Sequence, residues 1–260
     1  AFKAGAVLPG AVTLLLMCLA AMAAAGAYGA IAAALKVRFG TNETLLTLML
    51  NYIALYLLQF LGETKAGWNF FLDPDSARPK FAGFPDNADM ITFPLGPFNL
   101  NLSLIIAIVL CVLLFGYLKY TKHGYEIAVV GESRRTASYA GIKVDRVIIR
   151  TMALSGALCG LIGLLLTSST DHTMTTTIVD GRGFTAVMVS WMAKFNPVIM
   201  IFVSLLLVVL SRGASEISTA FGLNRSFSDI LTGIILFFII GCEFFINYKV
   251  QFRSSGKKEA

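Results

Sequence analysis

Charge is what this sequence has least of. Only 14% of its 260 residues are Asp, Glu, Lys or Arg, whereas a soluble domain carries about 25%. A soluble chain that is 57% hydrophobic, with 20 Phe, would expose large adhesive patches. Composition therefore excludes an ordinary soluble domain and points to a bilayer. Cysteine is also scarce. Cys18, Cys111, Cys159 and Cys242 each sit inside an apolar run, and no spacing among them resembles a zinc site or a secreted disulfide framework. The two histidines, His123 and His172, stand far apart with no ligand cluster beside them, so no metal is expected. No Gly-rich loop ends in Gly-Lys-Ser or Gly-Lys-Thr, and Gly256-Lys257-Lys258 is not such a loop, so no phosphate cradle is expected. No catalytic residues and no cofactor are expected in this chain.

What is present is a series of apolar runs. A membrane-spanning helix takes about 20 apolar residues, and runs at 11–35, 44–61, 102–118, 147–167 and 227–247 qualify or nearly do. The last is entered by Ser226-Phe-Ser-Asp229, which has the form of a capping box. Between Thr167 and Ser226 the pattern is less regular. Phe184 to Ala193 is apolar but bounded by Gly181 and Gly183 before it and Asn196-Pro197 after it. At about 18 Å as a helix it is too short to cross the hydrocarbon alone. Residues 183–194 therefore read as a broken or half-spanning helix, followed by a fuller span from Pro197 to Leu210.

Basic residues set the orientation. The net charge is +6, but its carriers lie in short segments between apolar runs, the pattern of cytoplasmic membrane flanks and not of a nucleic-acid face. Segment 119–150 holds seven basic residues (Lys119, Lys122, Arg134, Arg135, Lys143, Arg146, Arg150) against three acidic ones. Lys36 and Arg38 mark another inner turn, and 248–260 reads as a cytoplasmic tail. The 62–100 loop has three basic residues against five acidic ones and reads as external. The parity of crossings closes only if 183–194 counts as one. Two runs are crowded with small residues, Ala20 to Gly29 and the trio Gly156, Gly160 and Gly163, which let helix backbones approach closely in lipid.

Two readings of segment 124–142 stand side by side. Its small residues, flanked by Arg134 and Arg135, suit a short helix docking in a groove of a soluble partner. Equally, it suits a solvated loop whose arginines only enforce topology. Asn51, about eight residues into the second span, either lines a substrate path or bonds to a neighbouring helix. Phe184 and Trp191 either stack on a ligand or simply pack. Asp171 and His172 lie in an external loop that either meets a binding protein or is simply solvated. Glu243 lies near the inner end of its span, within reach of the interface.

Segment Gly124-Tyr-Glu-Ile…Val130-Gly131-Glu132…Ala137…Tyr139-Ala140-Gly141-Ile142 resembles the coupling region of permeases from the branched-chain amino acid, ribose and nucleoside group of ABC importers. Ser133 stands where Asn is usual and Thr136 where Ala is usual. Two further stretches are similar to the nucleoside-permease branch: Asn42-Glu43…Met49-Leu50-Asn51-Tyr52, and Gly181-Arg-Gly183-Phe184…Phe195-Asn196-Pro197, where Arg182 departs from the usual residue.

The resemblance implies an all-α integral membrane protein: a polytopic helical bundle forming a single permease domain over 1–260, with a broken helix and a cytoplasmic coupling helix within 119–147. It implies an inverted repeat whose N-terminal part precedes position 1. Nucleoside transport by alternating access across a bacterial inner (plasma) membrane is the implied function, with a simple sugar such as a pentose as the alternative substrate. An ion-coupled secondary transporter is a rival, weakened by the near absence of mid-span acids. The implied partners are a cytoplasmic ATPase subunit that binds the ATP, a second permease subunit in a heterodimer, an external substrate-binding protein or lipoprotein, and membrane lipid. The coupling residues implied are Gly124, Glu126, Gly131, Glu132, Arg134, Arg135, Ala137 and Gly141. For the substrate path they are Asn51, Gly183, Phe184, Trp191 and Asn196.

Overall fold

The computed structural model describes residues 10–64, 72, 81–83, 92–95, 98–171, 173–175, 178–179 and 181–247. Most of the 62–100 loop, His172 and the 248–260 tail therefore lie outside the described residues, as do the side chains of Asp171 and Glu243. The chain divides into two compact units, Ala1–Asp180 and Gly181–Ala260.

In the first unit the helices are α1 (Gly10–Phe39), α2 (Glu43–Glu63), α3 (Leu102–Tyr120), α4 (Lys122–Glu132), α5 (Arg134–Tyr139) and α6 (Val144–Leu166). A π-turn, Thr167–Asp171, extends α6. Ahead of α3 runs a short antiparallel pair, β1 (Thr92–Leu95) and β2 (Phe98–Asn101), with Thr92 opposite Asn101. The second unit holds α7 (Arg182–Met192), α8 (Pro197–Ala220) and α9 (Arg225–Asn247). Among the described residues, five helices (α1, α2, α3, α6 and α8) are long and apolar enough to cross a membrane.

The α1–α6 contact organises the first unit, and small residues make it possible. A Cβ added at Gly29 would come within 2.7 Å of the Met152 carbonyl oxygen, and one at Gly156 within 2.5 Å of that of Ala25. A Cβ at Gly160 would collide with the Ala21 carbonyl. A Cβ at Gly26 would stand 3.2 Å from the Ala153 carbonyl oxygen, completing a seam where backbone meets backbone, the packing expected where no water drives helices together. Gly163, expected on the same face, has open space where a methyl would stand, with nothing within 4 Å. Beside the seam, Leu161 and Leu165 pack with Cys18 and Met22 of α1 and with Leu102, Ile106 and Leu110 of α3. By contrast, α2 and α3 contain no buried residue, as befits apolar faces open to lipid or to further helices.

Two boundaries differ from expectation. α8 continues past Leu210 to Ala220. Hydropathy falls at Ser211, but nothing breaks the backbone until Gly222, whose φ of +64° ends the helix. There Leu223 N–H donates to Ser218 O at 2.7 Å and Gly222 N–H to Thr219 O at 3.2 Å, a Schellman closure. α9 begins at Arg225, so Ser226 lies inside it and is not its cap. The Ser226 N–H donates instead to Asn224 Oδ1 at 3.4 Å, since Asn caps as well as Ser does.

Candidate functional site

The segment between α3 and α6 is closed at each helix end by local backbone bonds. Thr121 closes one helix and opens the next: its N–H donates to Tyr117 O at 3.3 Å, and its Oγ1 accepts from Gly124 N–H at 3.2 Å. Gly124 is buried, and a methyl there would run into the Leu118 carbonyl, so only glycine allows this turn. Ser133 repeats the device. Its N–H donates to Val129 O at 3.1 Å and its Oγ accepts from Thr136 N–H at 3.3 Å. Serine thus supplies the N-cap that an asparagine would supply. The end of α5 is a second Schellman closure. Ile142 N–H donates to Ala137 O at 3.0 Å and Gly141 N–H to Ser138 O at 3.1 Å, with Gly141 at φ +79°. Glycine is needed there because side chains rarely adopt that φ.

What this scaffold presents is the outer face of α5. Arg134, Arg135, Ser138 and Gly141 are exposed, and Tyr139 is 92% exposed. An open cavity of about 540 Å³ lies alongside, lined by Ser138, Gly141, Ile142 and Lys143 among others. Gly131 and Glu132 are exposed at the end of α4. Ala137, expected in the docking patch, is fully buried within the chain. Its small size seats α5, and it is not free to touch a partner. Sequence reasoning passed over Tyr139 as an anchor, although an aromatic flanked by arginines on a protruding turn is the composition of an interface hot spot.

It also missed a charge cluster at the inner side of α4. Glu126 Oε2 lies 3.4 Å from Arg150 Nη2 and 3.6 Å from His123 Nδ1. Arg150 Nη1 is 3.4 Å from His123 Nε2. Arg150 can only donate, so a hydrogen bond to His123 Nε2 requires the tautomer in which that nitrogen is bare. No sequence signal links residues 24 and 27 positions apart on different helices. At the far end of α1, Lys36 pairs with Glu43 of α2.

The expected substrate-path residues fall in both units. Asn51 is an exposed position on α2 in the first unit. The other four lie in the second. α7 has 11 residues, about 16 Å of helix, which is short of a full crossing. Its buried side is Val189, with Ala193 just beyond, while Phe184 (62%) and Trp191 (68%) are exposed on a face with Val187 and Met188. Gly183 is exposed, and a methyl added there would meet nothing within 4 Å. The turn after α7 has the same Schellman bonds as the other two: Phe195 N–H to Ser190 O and Lys194 N–H to Trp191 O, each at 3.0 Å. Here, however, Lys194 and Phe195 take φ of +48° and +57° with no glycine. Asn196 then caps α8, its Oδ1 accepting from Val198 N–H at 3.1 Å, with Pro197 in the first turn. Among the described residues no group of three His, Cys, Asp or Glu is placed to hold a metal ion.

The model of the family described as branched-chain amino acid transport system / permease component matches residues 1–240. Curated relatives include a glucose ABC transporter permease protein of Haloferax volcanii, 28% identical over 94% of this chain and 65% of its own length. A nucleoside ABC transporter permease protein of Lactococcus lactis is 29% identical over 81% of this chain and 58% of its own. A guanosine ABC transporter permease protein of Bacillus subtilis is 27% identical over 94% and 68%. The chain therefore spans about two thirds or less of the length of these relatives. No solved structure matches it.

Proposed function

Since the chain belongs to the branched-chain amino acid transport system permease family, we propose that it is the membrane subunit of an ATP-driven importer and carries nucleosides across the plasma membrane by alternating access. It is a multi-pass membrane protein. In this reading ATP is bound and hydrolysed by a separate cytoplasmic subunit, an external binding protein or lipoprotein delivers the substrate, and a second permease subunit completes the path as a heterodimer. Segment 119–147 and the 248–260 tail face the cytoplasm, with 62–100 outside.

The observation that carries the reading is the exposed α5 face. It is short, capped at both ends, glycine-terminated, and presents Tyr139 between Ser138 and the exposed Gly141 turn, with Arg134 and Arg135 one helical turn back. A rigid aromatic anchor with adaptable polar neighbours suits docking in a partner's groove. An exposed ion pair is worth only about 0–1 kcal/mol, so the aromatic and the close-approaching turn matter more than either arginine. In the second unit, substrate meets Phe184 and Trp191 as stacking surfaces, with Gly183 leaving room beside them and Asn196 as a polar contact; Asn51 is a separate polar contact in the first unit. Nucleosides are favoured by the relatives named for nucleoside and guanosine transport. A simple sugar is the second reading, favoured by the relative named for glucose.

Uptake by the full complex, reconstituted with ATPase and binding protein, separates these readings. Guanosine and other nucleosides should accumulate with ATP, while ribose and glucose should not. Sugar uptake alone would move the substrate class. No ATP-dependent uptake of any of them would contradict the importer reading.

A further inference from the structure

The cluster of His123, Glu126 and Arg150 is left unused by docking at α5. In the chain, α4 and α5 are joined by Ser133, a single residue in extended backbone (φ −157°, ψ 117°). α5 reaches α6 through the turn at 140–143, whose Lys143 is also non-helical (φ −78°, ψ 86°). A push on α5 has two such joints at which to dissipate as rotation. Among the described residues, Arg150 supplies a side link that bypasses both. One of its nitrogens meets the Glu126 carboxylate and the other the His123 imidazole, each at 3.4 Å. A planar guanidinium engaging two groups fixes direction as well as distance. Further along the same helix, Gly156 and Gly160 lie backbone-to-backbone on α1, and α1 is tied onward to α2 by Tyr28 Oη donating to Leu50 O at 2.7 Å.

We infer that Arg150 is a positioning residue for transport: through Glu126 and His123 it locks α4 onto α6, so that movement of the coupling segment reaches the α1/α6 pair as one body. The inference rests on α5 being the docking surface. Arg150 and Glu126 keep 41% and 21% of their side-chain exposure, and such pairs add little to folding. The consequence should appear in coupling and not in assembly.

The test uses the full complex. Cys159, exposed on α6, carries a spin label after Cys18, Cys111 and Cys242 are replaced by Ser, and Ser138→Cys reports crosslinking to the ATPase in parallel. In the otherwise unchanged protein, ATP with vanadate should shift the Cys159 signal. Arg150→Met should keep the Ser138 crosslink and ATP hydrolysis but reduce that shift by up to about fivefold, the most a pair of this strength supports. The exchange Glu126→Arg with Arg150→Glu should recover at least half of it. An unchanged Cys159 shift in Arg150→Met, with the crosslink intact, would overturn the inference and leave docking standing. Loss of the Ser138 crosslink in the unaltered protein would overturn docking and this inference together. If Arg150→Met fails to assemble, the charge exchange decides: recovered assembly and shift support the link, and no recovery overturns it.

Discussion

Residues 121–143 and residues 181–197 both fold the chain sharply around short helices, and both use the same terminal hydrogen bonds to do it. They differ in whether the side chains agree with the backbone. In the first stretch each special position has the residue it needs: Thr121 and Ser133 at caps, Gly124 where a methyl would strike Leu118, and Gly141 at positive φ. In the second, the corresponding helix end places Lys194 and Phe195 in the left-handed region, at about 1–2 kcal/mol per residue. Local agreement marks a part that must hold its shape. Local conflict that persists marks a part whose strain is retained for another reason. That contrast fits a rigid docking piece in one case and a working segment of the substrate path in the other.

Glycine substitution breaks the comparison most sharply. Gly124→Val should destabilise the first stretch by about 3 kcal/mol, since its side chain would enter backbone, and the purified subunit should melt earlier or fail to accumulate. Gly183→Leu enters open space, so the complex should assemble and melt as before while uptake falls by about tenfold or more, the cost of filling a substrate contact. Comparable loss of assembly in both would erase the distinction between the two stretches.

Docking itself gives the next effect. Gly141→Trp should abolish substrate-stimulated ATP hydrolysis, and Tyr139→Ala should lower it about tenfold or more, the scale of a hot-spot residue. ATPase assays on the reconstituted complex would show this. A smaller change is expected at Lys194. Lys194→Gly should raise the unfolding free energy by about 1 kcal/mol by relieving positive φ, read by thermal unfolding in detergent. If the strain serves transport, uptake should drop as stability rises. Arg134→Ala should be smallest, with hydrolysis within about fivefold of normal.

Most of the helical plan was legible because hydropathy and length alone define a span. α1, α2, α3 and α6 fall where the apolar runs lie, and Gly156 and Gly160 pack as small residues should. Ends were legible only where a chemical signal coincided with the loss of hydropathy. α8 outran its apolar run because a polar surface does not stop a helix, whereas Gly222 does. The short β1–β2 pair lay hidden in a stretch whose charge balance read only as an external loop. In residues 121–143, small size was visible but direction was not. Ala137 and Gly141 look alike in sequence, yet one is sealed inside and the other faces out. Contacts between distant helices, such as Arg150 with Glu126, leave no periodic trace at all.

Whether α5 is the surface that meets the ATPase is tested most directly by a photoreactive residue placed at Tyr139 in the assembled transporter, with the same residue at Trp191 as its counterpart on α7. The account predicts that position 139 captures the ATPase subunit, that Gly141→Trp abolishes this capture, and that position 191 captures none of it. Equal capture of the ATPase from both positions, or none from position 139 in a complex that hydrolyses ATP in response to substrate, would contradict it.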